Sequence, residues 1–194
     1  MREYRSANDR PPEEGARTVA RALSDVLLPL LRAVLTGGDL PPLTLTPELV
    51  SFCTAQQLIG FLHHALRCGG EVENTEQAAL VKKSYSLSVA QQIQQDYYRE
   101  RIFASLTAAG IPYLPLKGES LRAVYPSPDL RFSCDIDFFY PKEYRAGVHA
   151  ILTECGFRKQ KSDPHNDSYV LGAVHIEPHF AMSDGEENCE KYYA

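Results

Sequence analysis

A basic surplus, a bilayer-length apolar run and a paired-cysteine motif are all missing from this 194-residue sequence, and each absence removes a class of protein. Lysine and arginine number 20 against 25 aspartates and glutamates, a formal charge of −5. That balance argues against an extended surface for coating nucleic acid, while leaving room for a local basic pocket that holds one nucleotide. The expected partner is a small molecule or a protein. The most apolar stretch, Val26 to Leu35, is broken by Pro29 and Arg32 and is far shorter than the ~20 residues a membrane-spanning helix needs. Residues 1–17 are charged throughout and have no apolar h-region, so no signal peptide is expected. Cys53, Cys68, Cys134, Cys155 and Cys189 form no C-x-x-C pair, and an odd number leaves one over in any full disulfide scheme. Reduced thiols in a cytoplasmic protein are the simpler reading. Neither an internal repeat nor a low-complexity tract is visible.

What is present is enough apolar material, 44% of residues, to bury one sizeable domain or a small domain with an added helical layer. Residues 1–16 are charged and proline-containing with almost nothing to bury, and read as a flexible arm. From Thr18 an apolar face repeats through Val19, Leu23, Val26, Leu30 and Val34 and ends at Gly37-Gly38, which predicts a first helix. Thr46 as a cap and Pro47 at the first helical position open a second helix, running through Phe52, Leu58, Phe61 and Leu62 to Gly69-Gly70. A third, long helix is predicted from Thr75 to Ala109, with Leu80, Val81, Tyr85, Leu87, Val89, Ile93, Tyr97, Ile102, Phe103 and Leu106 as its buried stripe.

After Gly110 the period shortens. Ile111 to Leu116 reads as a strand restricted by two prolines, Ser120 to Tyr125 as a short helix, and Cys134 to Tyr140 as a strand. Pro141 to Cys155 reads as a helix closed by Gly156, and Tyr169–Leu171 and Val174–Phe180 as two strands turning at Gly172-Ala173. The order implies an α+β or α/β class: a helical region over 17–110, then a mixed-sheet core over 111–194.

Three segments carry candidate chemistry. Asp135 and Asp137 flank Ile136 in an apolar strand, and the two-residue period puts both carboxylates on one face. Such a pair raises one pKa or demands a cation, and Mg²⁺ takes one or two carboxylates plus substrate phosphates. A solvated strand face paired to Arg131 is the alternative. In Leu116-Lys-Gly-Glu-Ser120, a glycine between strand and helix lets the backbone approach a phosphate that Lys117 or Ser120 can reach; an ordinary turn at Gly118 is the alternative. In His175-Ile-Glu-Pro-His179 the odd positions share a face. Glu177 there is a third carboxylate able to complete a metal site or take a proton from an attacking hydroxyl. The same three residues also read as a zinc site on His175, Glu177 and His179, or as a polar strand face.

A strand, Lys117-Gly118, a short helix, Tyr125, Arg131, Asp135-Ile-Asp137, a helix, Gly156-Phe157 and Glu177-Pro-His179, in that order, resemble the uncharacterised nucleotidyltransferases of the DNA polymerase beta-like superfamily. The resemblance spans about residues 47–180. It implies the polymerase beta-like mixed sheet with helices, and a catalytic set of Asp135, Asp137 and Glu177 that also binds the metal, Mg²⁺ or Mn²⁺. It further implies Lys117, Gly118, Ser120 and Arg131 as the nucleotide-binding residues, with His175 and His179 beside the substrate or the ligands. Two departures from the superfamily pattern stand out. Glu119 separates Gly118 from Ser120, which favours Lys117 for the phosphate contact, and the third acid is glutamate where aspartate is usual. Further helices covering the sheet are expected beyond Ala194. The implied reaction moves a nucleoside monophosphate from a nucleoside triphosphate to a hydroxyl on a small molecule or protein. A nucleotide-binding regulatory module of the same fold, without chemistry, is the other outcome the residues allow.

Overall fold

The computed structural model describes residues 14–69, 75–116 and 121–181. The expected arm up to residue 13, the loop residues Lys117, Gly118, Glu119 and Ser120, and the stretch 182–194 lie outside the described residues. Helix α1 spans Glu14–Thr36, so residues 14–16, expected in the arm, are helical even though Gly15 is a poor helix former. It ends at Gly37, whose φ of 69° is the left-handed conformation that closes helices.

Helix α2, Pro47–Ala55, starts as the sequence predicts: Thr46 Oγ1 accepts from the Leu49 amide at 3.2 Å, and Pro47 needs no donor at the first position. The predicted single helix to Gly69 is interrupted, however. Gln57 takes φ 59°, and α3 begins afresh at Ile59–Cys68. The break lets two apolar faces, Leu49, Val50 and Cys53 on α2 and Ile59, Phe61 and Leu62 on α3, turn separately into one core.

Helix α4, Thr75–Ala108, is about 50 Å long and matches its predicted span closely. Its buried stripe differs from the predicted one. Leu80, Leu87, Ile93 and Tyr97 are exposed, whereas Gln92 and Gln95 are buried. The true inward face runs Val81, Tyr85, Gln92, Gln95, Ile102, Leu106, at steps of three, four and seven residues that keep to one side of the helix and pass through two glutamines. A stripe drawn through apolar residues alone winds off that face.

Beyond α4 lies a five-stranded mixed sheet in the order β1-β2-β5-β4-β3. The strands are β1 Leu114–Pro115, β2 Asp135–Phe139, β3 Arg158–Ser162, β4 Asp167–Leu171 and β5 Val174–His179. β1 is shorter than the predicted 111–116 because Pro112 and Pro115 supply no amide hydrogens for pairing. The predicted helix from Pro141 resolves into a 3₁₀ turn, Lys142–Tyr144, and then α5, Arg145–Glu154. β3 has no counterpart in the sequence reading: every residue of Arg-Lys-Gln-Lys-Ser is exposed at the sheet edge, so no apolar alternation marks it. The charged side chains suit such an edge. Gly172, at φ 60°, makes the tight turn from β4 to β5 as predicted.

β2 and β5 run parallel and the other neighbours antiparallel, the connection from β2 passing through α5, β3 and β4. One face of the sheet, with Ile136, Phe138 and Ile176, packs with Val148 and Leu152 of α5 and with Ile102 and Leu106 of α4. A second core gathers α1, α2, α3 and the first half of α4, and takes in Leu130 and Phe132 from the segment entering β2. The architecture is α+β, a helical region followed by a mixed sheet.

Candidate metal and nucleotide site

Alternation along β2 buries Ile136 and Phe138 and leaves Asp135 and Asp137 half-exposed on the other face. β5 does the same, burying Val174, Ile176 and Pro178 and presenting His175, Glu177 and His179. The parallel register sets Asp135 beside His175 and Asp137 beside Glu177, so the three carboxylates share one face of the sheet. Asp137, Glu177 and His179 each offer a ligand atom, and these atoms all lie within 4.8 Å of one another. His179 Nε2 stands 3.6 Å from Asp137 Oδ1, and Glu177 Oε2 accepts from Asn166 Nδ2 at 3.2 Å.

The donor set fits a small divalent cation. Carboxylate oxygens are the hard ligands Mg²⁺ and Mn²⁺ prefer, and an imidazole nitrogen is a ligand Mn²⁺ accepts more readily than Mg²⁺. Asp135 stands outside the tight group, two residues back along the same strand face. His175 does too. It lies four positions along the strand from His179, about 13 Å, too far for both to hold one ion, so the geometry does not assemble the zinc site centred on the two histidines.

Of the expected nucleotide-binding residues, Lys117, Gly118 and Ser120 lie outside the described residues. Leu116, the last described residue before them, donates its amide to the Asp137 carbonyl at 3.0 Å. Arg131 is half-buried, with its Nε unmatched by any hydrogen-bond partner among the described residues. It is not among the side chains that line the cavity next to Asp135 and Asp137.

That cavity is walled on its other side by α4, through Gln92, Gln95, Asp96 and Arg99. Gln92 Oε1 accepts from the Ser133 amide at 3.1 Å, and its Nε2 donates to Asp96 Oδ1 at 3.0 Å. Asp96 also receives Arg99 at 2.9 Å and Arg122 at 3.0 Å. Two guanidiniums thus meet on one carboxylate, which fixes the Asp96 side chain in this wall. The polar wall escaped the sequence reading, although glutamines in phase with Val81, Ile102 and Leu106 are its signal.

Two further networks fix the strands that carry the site. Tyr85 of α4 donates to Asp129 Oδ2 at 2.5 Å, Ser127 donates to the other Asp129 oxygen, and the His63 ring stacks on Tyr85 at 3.6 Å. Burial, then the Asp129 carboxylate, push the Tyr85 hydroxyl up to about 12. Across the sheet, Asp167 is buried between Arg145 at 2.7 Å and Lys159 at 2.8 Å, with Ser162 donating at 2.6 Å. Burial alone would raise its pKa; the hydrogen bonds from Arg145, Lys159 and Ser162 outweigh that and hold it well below the carboxylate range.

Residues 45–194 match the family model described as uncharacterised nucleotidyltransferase. Two solved structures are similar over part of the chain. One is the solution structure of the antibiotic-resistance factor ANT(2'')-Ia, 21% identical with a TM-score of 0.42, covering 48% of this chain and 50% of that one. The other is the crystal structure of ANT(2'')-Ia in complex with adenylyl-2''-tobramycin, 21% identical with a TM-score of 0.39, covering 47% and 53%. The chain spans about half the length of these structures. No curated protein matches it. Among the described residues, no helix is long and apolar enough to cross a membrane.

Proposed function

The chain belongs to the uncharacterised nucleotidyltransferase family, and from that premise we propose that it moves a nucleoside monophosphate from a nucleoside triphosphate to a hydroxyl acceptor, using Mg²⁺ or Mn²⁺. The observation that carries the reading is the parallel register of β2 and β5, which sets the Asp137 and Glu177 carboxylates and the His179 imidazole within 4.8 Å of one another. Asp137, Glu177 and His179 would hold the cation, with Asp135 on the same face to complete its shell. When bound, the cation supplies charge neutralisation for the triphosphate and Lewis-acid polarisation at phosphorus.

The chain's own residues account for the remaining steps. Lys117, Gly118 and Ser120 are assigned to the triphosphate, a reading supported by Leu116, the residue before them, whose amide bonds to the Asp137 carbonyl. Arg131 is assigned a supporting phosphate contact. The acceptor oxygen bonds to the α-phosphorus as the bond to the β-phosphate oxygen breaks, and pyrophosphate leaves. Glu177 takes the acceptor proton. The acceptor is a small molecule or a protein.

The test is transfer itself. The protein is incubated with each of the four α-³²P-labelled nucleoside triphosphates, Mg²⁺ or Mn²⁺, and a cell extract. Label is expected on an acceptor, and Asp137→Asn is expected to remove it. Nucleotide binding with no cation-dependent consumption of any triphosphate would instead identify a module that keeps the fold without the chemistry.

A further inference from the structure

The polar wall of α4 contains one side chain that the fold leaves incomplete. Gln92, Asp96 and Arg99 bond to one another or to Ser133. Gln95 is 1% exposed, and neither its amide nitrogen nor its amide oxygen has a hydrogen-bond partner among the described residues. A buried amide unmet at both ends is destabilising, and folded proteins keep such groups where water or a ligand completes them. Gln95 borders the same cavity as Asp135 and Asp137, which offers about 20 Å³, room for one water-sized group and too little for a heterocycle.

We propose that Gln95 is a specificity-determining residue that holds a sugar-type hydroxyl of the substrate, its Oε1 accepting from that hydroxyl and its Nε2 donating to the same or a vicinal oxygen. The assignment rests on the nucleotidyl-transfer reading above. A hydroxyl suits the amide because it both donates and accepts; phosphate oxygens only accept and would face Oε1 without a proton between. Its size also suits the cavity. Near the reacting phosphorus such a hydroxyl comes from one of two sources, the ribose of the donor or the acceptor itself.

Calorimetry separates the sources. The tightest-bound of the four ribonucleoside triphosphates is titrated with Mn²⁺ into the full chain, alongside its 2′-deoxy and 3′-deoxy counterparts, for wild type and Gln95→Leu. Gln95→Met is a second apolar variant should leucine disturb packing. If the donor ribose is held, wild type binds the ribonucleotide about 5–10-fold more tightly than one of the deoxy forms, and both variants lose that ratio. If the acceptor is held, the variants bind every donor as wild type does, while label transfer in extract falls about 10-fold or more. Thermal midpoints at or above wild type would show that neither effect comes from unfolding. Unchanged sugar discrimination together with unchanged transfer would mean that Gln95 keeps a buried water only, and overturns the assignment. Wild-type protein that neither binds nor consumes any triphosphate overturns the nucleotidyl-transfer reading itself, and this one with it.

Discussion

Asp135 and Asp137 share a strand face but not their company. Asp137 has Glu177 as its register partner and His179 at 3.6 Å, whereas Asp135 has the exposed His175 beside it. Losing Asp137 therefore removes a ligand from the centre of the group, and losing Asp135 removes one from its margin. Changing groups that merely orient metal ligands costs 10–100-fold in affinity, so Asp137→Asn is expected to weaken Mn²⁺ binding by about 100-fold or more, and Asp135→Asn by less. Without metal, Asp137→Asn should melt at or slightly above the wild-type temperature, since one of two adjacent anions is gone. Calorimetric titration with Mn²⁺ and a melting curve for each variant decide it; equal losses, or an unfolded Asp137→Asn, would break the ranking. Asp167 answers to pH instead. Its folded pKa lies below its unfolded value, so between the two the unfolded chain binds more protons and stability rises with pH. The contribution is fully present above about pH 4 and is lost as the pH falls through the folded pKa. Asp167→Asn should be less stable at pH 7 and show a shallower loss on acidification, which denaturant titrations at pH 7 and pH 3 would measure.

Helix α3 approaches the 3₁₀ turn Pro128–Leu130 so closely that a Cβ on Gly60 would collide with the Asp129 carbonyl. Because Asp129 is also held by Tyr85 and Ser127, the turn cannot easily retreat. Gly60→Ala is thus expected to destabilise by about 1–3 kcal/mol despite alanine's better helix propensity, a loss readable as a lower urea midpoint with unchanged m. A midpoint at or above wild type would show that the contact is slack. Such contacts are silent in a sequence, since nothing around Gly60 names the carbonyl nearly seventy residues later. By contrast, β2 and β5 were legible, because each buries one face and exposes the other, and alternation records that. The shared carboxylate face could be read from the same alternation, given that the strands pair. β3 was illegible because an edge strand exposed at every residue has no buried face to write a pattern. The α2–α3 break escaped because it depends on a left-handed glutamine, a conformation that no local residue type demands.

Across the whole molecule, α4 is the member common to both cores. Val81 and Tyr85 pack with α1, α2 and α3, and Ile102 and Leu106 pack behind the sheet strands whose other face carries the carboxylates. Leu130 and Phe132 strengthen the tie, since the segment that enters β2 is anchored in the helical core. The two cores should accordingly unfold together, and damage in one should be felt at the cation site only through global stability. Leu62 is fully buried in the helical core, and Leu62→Ala is expected to cost about 2–5 kcal/mol. Mn²⁺ at about 100 times its dissociation constant should restore about 2.7 kcal/mol in Leu62→Ala, as much as it adds to wild type, and nothing comparable in Asp137→Asn. Hydrogen exchange at amides of α2 and of β5 would follow the two cores separately. Both sets should open with one common free energy in wild type, fall by the same amount in Leu62→Ala, and rise by the same amount with Mn²⁺. If α2 opens in Leu62→Ala while β5 stays protected and still responds to Mn²⁺, the helical region and the sheet are independent units and α4 does not couple them.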